Sequence, residues 1–182
     1  KRYGYEWDER WLIATHNGVK GKYPRIDIND YPAVKAHLDQ YWDKISTRAD
    51  KGDTPYNLRN CAYWDLFFQP YICWKAVGRQ LAFALVDGGI YITAPASFIS
   101  AGLYNNSILT YLRSNVAKYF IYKNSDTTGA GDIMLNIQSL VKFPIPMSVI
   151  DTKRLQDDNI ELMIYSSYRL TNEEIKYIES QI

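Results

Sequence analysis

An α+β domain, with a mixed or antiparallel sheet, two main helices and a C-terminal helical tail, is the fold class this sequence predicts. Three observations lead there. Apolar residues recur at helical spacing in two separated stretches: Val34, Leu38, Tyr41 and Ile45, then Leu109, Leu112, Val116, Tyr119 and Phe120. Between them lie short aromatic and β-branched runs at residues 71–74, 81–86 and 90–93, bounded by Pro70 and by Asp87-Gly88-Gly89. Near the end, Thr171-Asn172-Glu173-Glu174 spells a capping box, in which the Thr hydroxyl accepts a backbone N–H and Glu174 reaches back. Strands gathered between helices, with a helical tail, make an α+β pattern.

Taken in order, Trp11-Leu12-Ile13-Ala14-Thr15 before Asn17-Gly18 reads as a strand and then a turn. Residues 19–30 read as loop. Asp30 is the candidate N-cap of a helix with Pro32 in its first turn, running to about Thr47 and ending before the turn-forming Asp50-Lys51-Gly52-Asp53-Thr54-Pro55. Residues 63–68 form a short helix or a bridge. A strand starts after Pro70, and residues 81–86 and 90–93 make a hairpin about Asp87-Gly88-Gly89, since glycine tolerates the positive φ of tight turns. Residues 106–122 form the second helix, with Asn105 or Asn106 as its cap. A polar, glycine-bearing loop follows, then a strand at 140–146 closed by Pro144 and Pro146, and finally two tail helices. Residues 1–150 are expected to be one domain and 151–182 a helical tail, with no internal repeat.

Hydrophobic residues at 47% and charged residues at 23% exclude a disordered chain and suffice for a core. Sixteen Tyr, five Trp and six Phe combine apolar area with polar handles, which suits a binding surface or an aromatic-lined β-rich core. Residues 1–150 hold 17 Lys+Arg and 13 Asp+Glu, a balance of +4; residues 151–182 hold 4 and 7, a balance of −3; together they give the net +1. A mildly basic body with an acidic tail fits contact with DNA by the body. Cys61 and Cys73 stand in apolar-aromatic stretches without metal-like spacing, which fits free thiols in a reducing, cytoplasmic setting. No apolar run reaches membrane-spanning length. The chain opens at Lys1 without Met and reads as part of a longer protein.

Several blocks carry a family likeness: Arg2-Tyr3-Gly4-Tyr5 with Trp11-Leu12-Ile13; Tyr31-Pro32-Ala33-Val34-Lys35-Ala36-His37-Leu38, then Arg48; Tyr56-Asn57-Leu58-Arg59; Gln69-Pro70-Tyr71-Ile72; Asp87-Gly88-Gly89-Ile90-Tyr91; and the stretch 140–146. In that order and spacing they resemble the TaqI-like C-terminal specificity domain of adenine-specific DNA methyltransferases and type IIG restriction enzymes. Residues 160–179 resemble the short helical segment that closes many such enzymes. Two departures stand out: Tyr71 follows Pro70 where the family more often has Lys, and Arg169 replaces the usual Gly of the turn Tyr168-Arg169-Leu170-Thr171. The resemblance implies bacterial restriction-modification, with double-stranded DNA as partner. It also implies a catalytic domain of the same parent chain that holds S-adenosylmethionine. Neither an Asn-Pro-Pro-Tyr-like tetrapeptide nor a Gly-rich cofactor loop is present, so this chain is expected to bind no cofactor and catalyse nothing by itself.

Base reading needs side chains with two hydrogen-bonding atoms projected into the major groove. The loop from 123 supplies Lys123, Asn124, Ser125, Asp126, Thr127 and Thr128, unless it is a solvated connector. Lys75, Arg79 and Gln80 are the second set, Arg suiting guanine and Gln adenine, unless they belong to a plain surface hairpin. Lys51, Asn57 and Arg59 are candidates for phosphate contact, which positions without specifying; Arg59 serves equally as an ion-pair partner. His16 and His37 lack partners for catalysis or metal binding, and Glu174-Ile175-Lys176 is explained by helix structure. Two alternatives stand beside DNA reading. One is a protein-interaction module. The other is a ribokinase-like sugar kinase fragment, in which Asp126-Thr127-Thr128-Gly129-Ala130-Gly131-Asp132 is the anion hole and Asp132 the base.

Overall fold

The computed structural model describes residues 4–150 and 159–182. Arg2 and Tyr3 of the first resembling block, and the start of the expected tail at 151–158, lie outside the described residues. The fold is α+β, with every strand pairing antiparallel. The chain divides into two compact units, one of residues Asp8–Asp65 and the other of Lys1–Trp7 with Leu66–Ile182.

The smaller unit carries two short helices, α1 (Pro32–Asp39) and α2 (Trp42–Thr47), neither with a fully buried residue. The single helix expected to Thr47 is broken at Gln40 and Tyr41, where Tyr41 has φ −112° and ψ 18°. Asp30 does not cap α1: Tyr31 occupies that place without a side-chain bond, while Asp27 accepts from Asn29 N at the preceding 3₁₀ turn. Only Ile28 and Trp64 are buried hydrophobics in this unit. A polar knot does the rest. The Asn57 amide, 1% exposed, donates to the carbonyls of Ile26 (2.9 Å), His16 (3.4 Å) and Thr15 (3.5 Å). Its own oxygen accepts from the Thr54 hydroxyl. Thr15 is tied on both sides, its hydroxyl donating to Tyr56 O at 2.7 Å and its carbonyl accepting from Leu58 N at 2.8 Å. Those bonds leave residues 11–15 outside any strand, contrary to the sequence reading, and Trp11 is 85% exposed.

Among its described residues the larger unit holds six strands: β1 (Tyr71–Lys75), β2 (Val77–Gly78), β3 (Phe83–Val86), β4 (Ala96–Ile99), β5 (Asp126–Thr127) and β6 (Ile133–Met134). β1 lies between β3 and β4. Successive strand side chains point to opposite faces. Ile72 and Trp74 therefore share a face with Leu85 and Phe83 of β3, and Ile99 of β4 stands beside Ile72. Tyr71, on the other face, meets the rings of Phe67 and Phe98 at 5.7 and 5.0 Å. Helices α3 (Asn105–Leu112), α4 (Asn115–Asn124), α5 (Ile137–Leu140), α6 (Met147–Ile150), α7 (Ile160–Ser167) and α8 (Asn172–Glu179) follow. Leu109, Leu112, Val116, Ile121, Leu135, Phe143, Val149 and Ile164 close one core with Ile72, Trp74 and Phe83. The Trp74 indole N–H donates to Leu135 O at 2.9 Å, so its polar edge is satisfied inside.

Four expectations are corrected here. The helix expected at 106–122 breaks at Arg113 and Ser114, because the Ser114 hydroxyl accepts from Ala117 N (3.2 Å) and Glu161 accepts from Asn115 N (3.1 Å), together starting a new helix. Asn105 is no cap of α3 either; its buried amide bridges Ala101 N and Pro70 O. The turn at Asp87-Gly88-Gly89 does not return a strand at 90–93. Gly89 N instead donates to Phe67 O at 2.7 Å, and a Cβ on Gly88 would stand 2.4 Å from Phe68 O, so the turn packs against 67–69. The strand partners of β1 are β3 and, beyond the cis Ala94-Pro95 bond, β4. Residues 140–146 are no strand: α5 starts at an Asn136 cap, proline has no N–H for a ladder, and the Pro144 carbonyl accepts from the hydroxyls of Tyr111 and Tyr168.

Both expected tail helices are present, and the capping box at Thr171 is complete. Between them, Leu170 N donates to Tyr165 O and Arg169 N to Ser166 O, the paired bonds of a Schellman turn. Arg169 has φ +55° there. Arg169 thus occupies a position with a left-handed backbone, where glycine is the relaxed residue.

Candidate nucleic-acid interface

The two segments singled out for base reading meet on a second small sheet. β2 leaves β1 after Lys75 and pairs with β6, Gly78 opposite Ile133 and Val77 opposite Met134. β5 pairs with the other edge of β6, Thr127 opposite Ile133 and Asp126 opposite Met134. Leu135 N donates to Ala76 O at 2.8 Å, tying the end of β6 to the exit of β1. Buried Ile133 holds one face of this sheet to the core, and the other face presents Met134 and Asp126 to solvent.

Individual residues separate clearly. Lys75, Arg79, Gln80, Asp126 and Thr127 are exposed. Arg79 is 80% exposed and its Nε lies 3.6 Å from Asp132 Oδ1. Lys123 and Asn124 belong to the last turn of α4 rather than to a loop. Lys123 Nζ donates to Gln181 (3.1 Å), and Asn124 Nδ2 donates back to Phe120 O (2.8 Å), which leaves Asn124 one amide hydrogen and its carbonyl. Two candidates are withdrawn. Ser125 Oγ is buried without a partner, so it faces inward, away from any base edge. Thr128 Oγ1 accepts from Asp132 N at 3.0 Å and is committed to the turn.

The kinase-type anion hole needs backbone N–H groups free at a helix start. Residues 126–134 form a hairpin instead. Within it Thr128 N bonds Asp132 O, Gly131 N bonds Thr128 O, and Asp132 N bonds Thr128 Oγ1.

The phosphate candidates belong to the smaller unit. Lys51 is exposed and donates to Ser46 O at 2.7 Å. Arg59 is exposed beside Asp50 at 3.4 Å, an ion pair in solvent. Asn57 is withdrawn: its amide is the centre of the buried knot and reaches no ligand.

Two features escaped the sequence. One is the pairing of Asp132 with Arg79, which depends on the register of two-residue strands too short to leave a pattern. The other is a cleft of about 620 Å³ in the smaller unit, where Asn17, Lys20, Arg25, Asp53 and Asn60 border apolar walls that include Tyr23 and Pro24. Of the histidines, His16 Nδ1 accepts from Gly18 N at 3.1 Å and His37 packs edge-on to Tyr41 at 5.4 Å. Among the described residues no group of three or more His, Cys, Asp or Glu side chains is placed to hold a metal. No helix among them is long and apolar enough to cross a membrane. No protein-family model matches this chain, and a search of curated proteins finds no match to it.

Proposed function

We propose that this chain reads double-stranded DNA as the target-recognition part of an adenine-specific restriction-modification methyltransferase. The S-adenosylmethionine chemistry then belongs to a catalytic domain of the same parent. One observation carries this reading: Arg79 and Gln80, directly after β2, and Asp126 and Thr127 of β5 stand exposed along the two edges of the β2-β6-β5 sheet, whose Ile133 is buried in the core, and Lys75 stands exposed at the end of β1, two residues before β2. Side chains that read bases must be presented together by a rigid support. The local charge, three cations (Lys75, Arg79, Lys123) against two carboxylates (Asp126, Asp132), favours groove edges over a bare polyanion. Phosphate contact falls to Lys51 and Arg59, which carry position and no sequence. A mobility-shift titration of duplex DNA at several salt concentrations tests the reading. Affinity falls as salt rises, with a log–log slope near −0.9 for each neutralised phosphate. Lys51→Ala weakens all sequences alike and reduces the slope by about one. Absence of any duplex binding at low salt ends the proposal.

A second reading, a protein-interaction module, is favoured by a separate observation. Leu103, Met147 and Val141 of the larger unit are 91%, 79% and 71% exposed. Exposed apolar side chains of that size mark contact surfaces when they are contiguous. Association through them strengthens with salt, the opposite of the DNA titration.

A further inference from the structure

We infer that Asp132 is the positioning residue that aims Arg79 at a guanine, an inference that rests on the DNA-reading proposal. The register puts the two side by side: Gly78 pairs with Ile133, so Arg79 and Asp132 are the next cross-strand couple. Asp132 is the better held of the two. It is 30% exposed against 80% for Arg79. Its backbone is clamped at both ends of the turn, N–H to Thr128 Oγ1 at 3.0 Å and carbonyl to Thr128 N at 2.8 Å. Gly131, at φ +82°, supplies the left-handed step that brings Asp132 round. The following residue, Ile133, is anchored in the core at 6% exposure.

A free arginine at 80% exposure samples many rotamers, and ordering it reduces whatever a base contact yields. A fixed carboxylate narrows that set. The atom it faces matters as well. The nitrogen Asp132 Oδ1 faces is Nε, at 3.6 Å. An arginine engaged at Nε keeps Nη1 and Nη2 as a pair of parallel donors, the geometry that matches guanine O6 and N7. The carboxylate has a second effect: it repels phosphate, so Arg79 is kept from settling on the backbone of an arbitrary duplex. Asp132 thus raises discrimination and lowers non-specific affinity at once. A residue with a merely structural role does not move those two quantities in opposite directions.

Selection from a randomised duplex pool, followed by competition binding, tests this with the 182-residue chain, Arg79→Ala, Asp132→Asn and Asp132→Glu. The unaltered chain enriches a site containing a guanine. Arg79→Ala loses the preference at that position by roughly 5- to 150-fold, the range of one bidentate contact. Asp132→Asn loses it at the same position by about two- to five-fold, the range of an exposed ion pair, and binds unselected duplex more tightly. Asp132→Glu retains the charge and most of the preference. If Asp132→Asn keeps the full guanine preference, or changes a different position from Arg79→Ala, the positioning role is wrong while DNA reading stands. If the unaltered chain binds no duplex, the DNA reading falls and this inference goes with it.

Discussion

In the larger unit, Ile72, Trp74, Phe83, Leu112 and Ile164 are each 3% exposed or less, and they leave water together. In the smaller unit the most buried side chain is an amide, Asn57 at 1%. Apolar burial is graded: each methylene removed costs a similar increment, and neighbours partly relax. A buried amide behaves otherwise, because removing it orphans every group it served. The contrast also divides the candidate residues. The exposed base-reading candidates stand on the unit with the apolar core, and the exposed phosphate candidates stand on the unit with the polar knot. Precision in placing a base-reading side chain is consistent with the first kind of support, whereas a positioning contact tolerates the second.

Substitutions break or sharpen that comparison. The largest effect is expected from Phe83→Ala in the apolar core, a loss of about 3–5 kcal/mol in urea unfolding of the larger unit. Asn57→Ala removes the hub of the smaller unit and costs about 2–3 kcal/mol, since buried carbonyls and the Thr54 hydroxyl lose their partner. A urea titration read at the amide resonances of residues 15–58 measures it. If Asn57→Ala is neutral, the smaller unit is held by something other than its knot. Arg169→Gly acts in the opposite direction: relieving a left-handed φ of +55° raises stability by about 0.5–1 kcal/mol, visible as an increase in Tm.

The remaining expectation concerns pH. Glu161, in the first turn of α7 and half-buried against the start of α4, has its pKa raised, first by burial and further by the nearby Glu179, against the lowering effects of the Asn115 N–H and Lys118. Tyr165 stands in the same cluster, linked to Asn115 and Glu179. The folded state therefore holds this proton more tightly than the unfolded state. Its stabilising contribution is complete below the ordinary glutamate pKa and is lost as pH rises through the raised folded value. Glu161→Gln keeps an acceptor for Asn115 N and removes that slope from a plot of stability against pH. An unchanged slope in the variant assigns the effect elsewhere.

Where chemistry was local, the sequence was readable. The capping box at Thr171 needs only four consecutive residues, and the β1 strand needs only an apolar run after Pro70. The breaks in both long helical stretches were not readable, since apolar spacing continues through them. At Ser114 the second helix start is completed by Glu161, 46 residues further along. The stretch 140–146 looked like a strand by composition, yet Pro144 serves as an acceptor for two distant tyrosine hydroxyls. The site followed the same division. Arg79 and Gln80 were visible by residue type. The inward turn of Ser125 and the commitment of Thr128 and Asn57 are products of packing and register.

The knot around Asn57 has a further consequence. Its acceptors come from residues 15, 16 and 26, and its donor partner from residue 54, so the segments carrying these residues cannot separate from one another while all of them stay satisfied. Fraying is then replaced by a single sub-global opening. Protease cleavage anywhere in 17–25 and hydrogen exchange at 52–58 should report one common opening free energy, making these joined segments one all-or-none element.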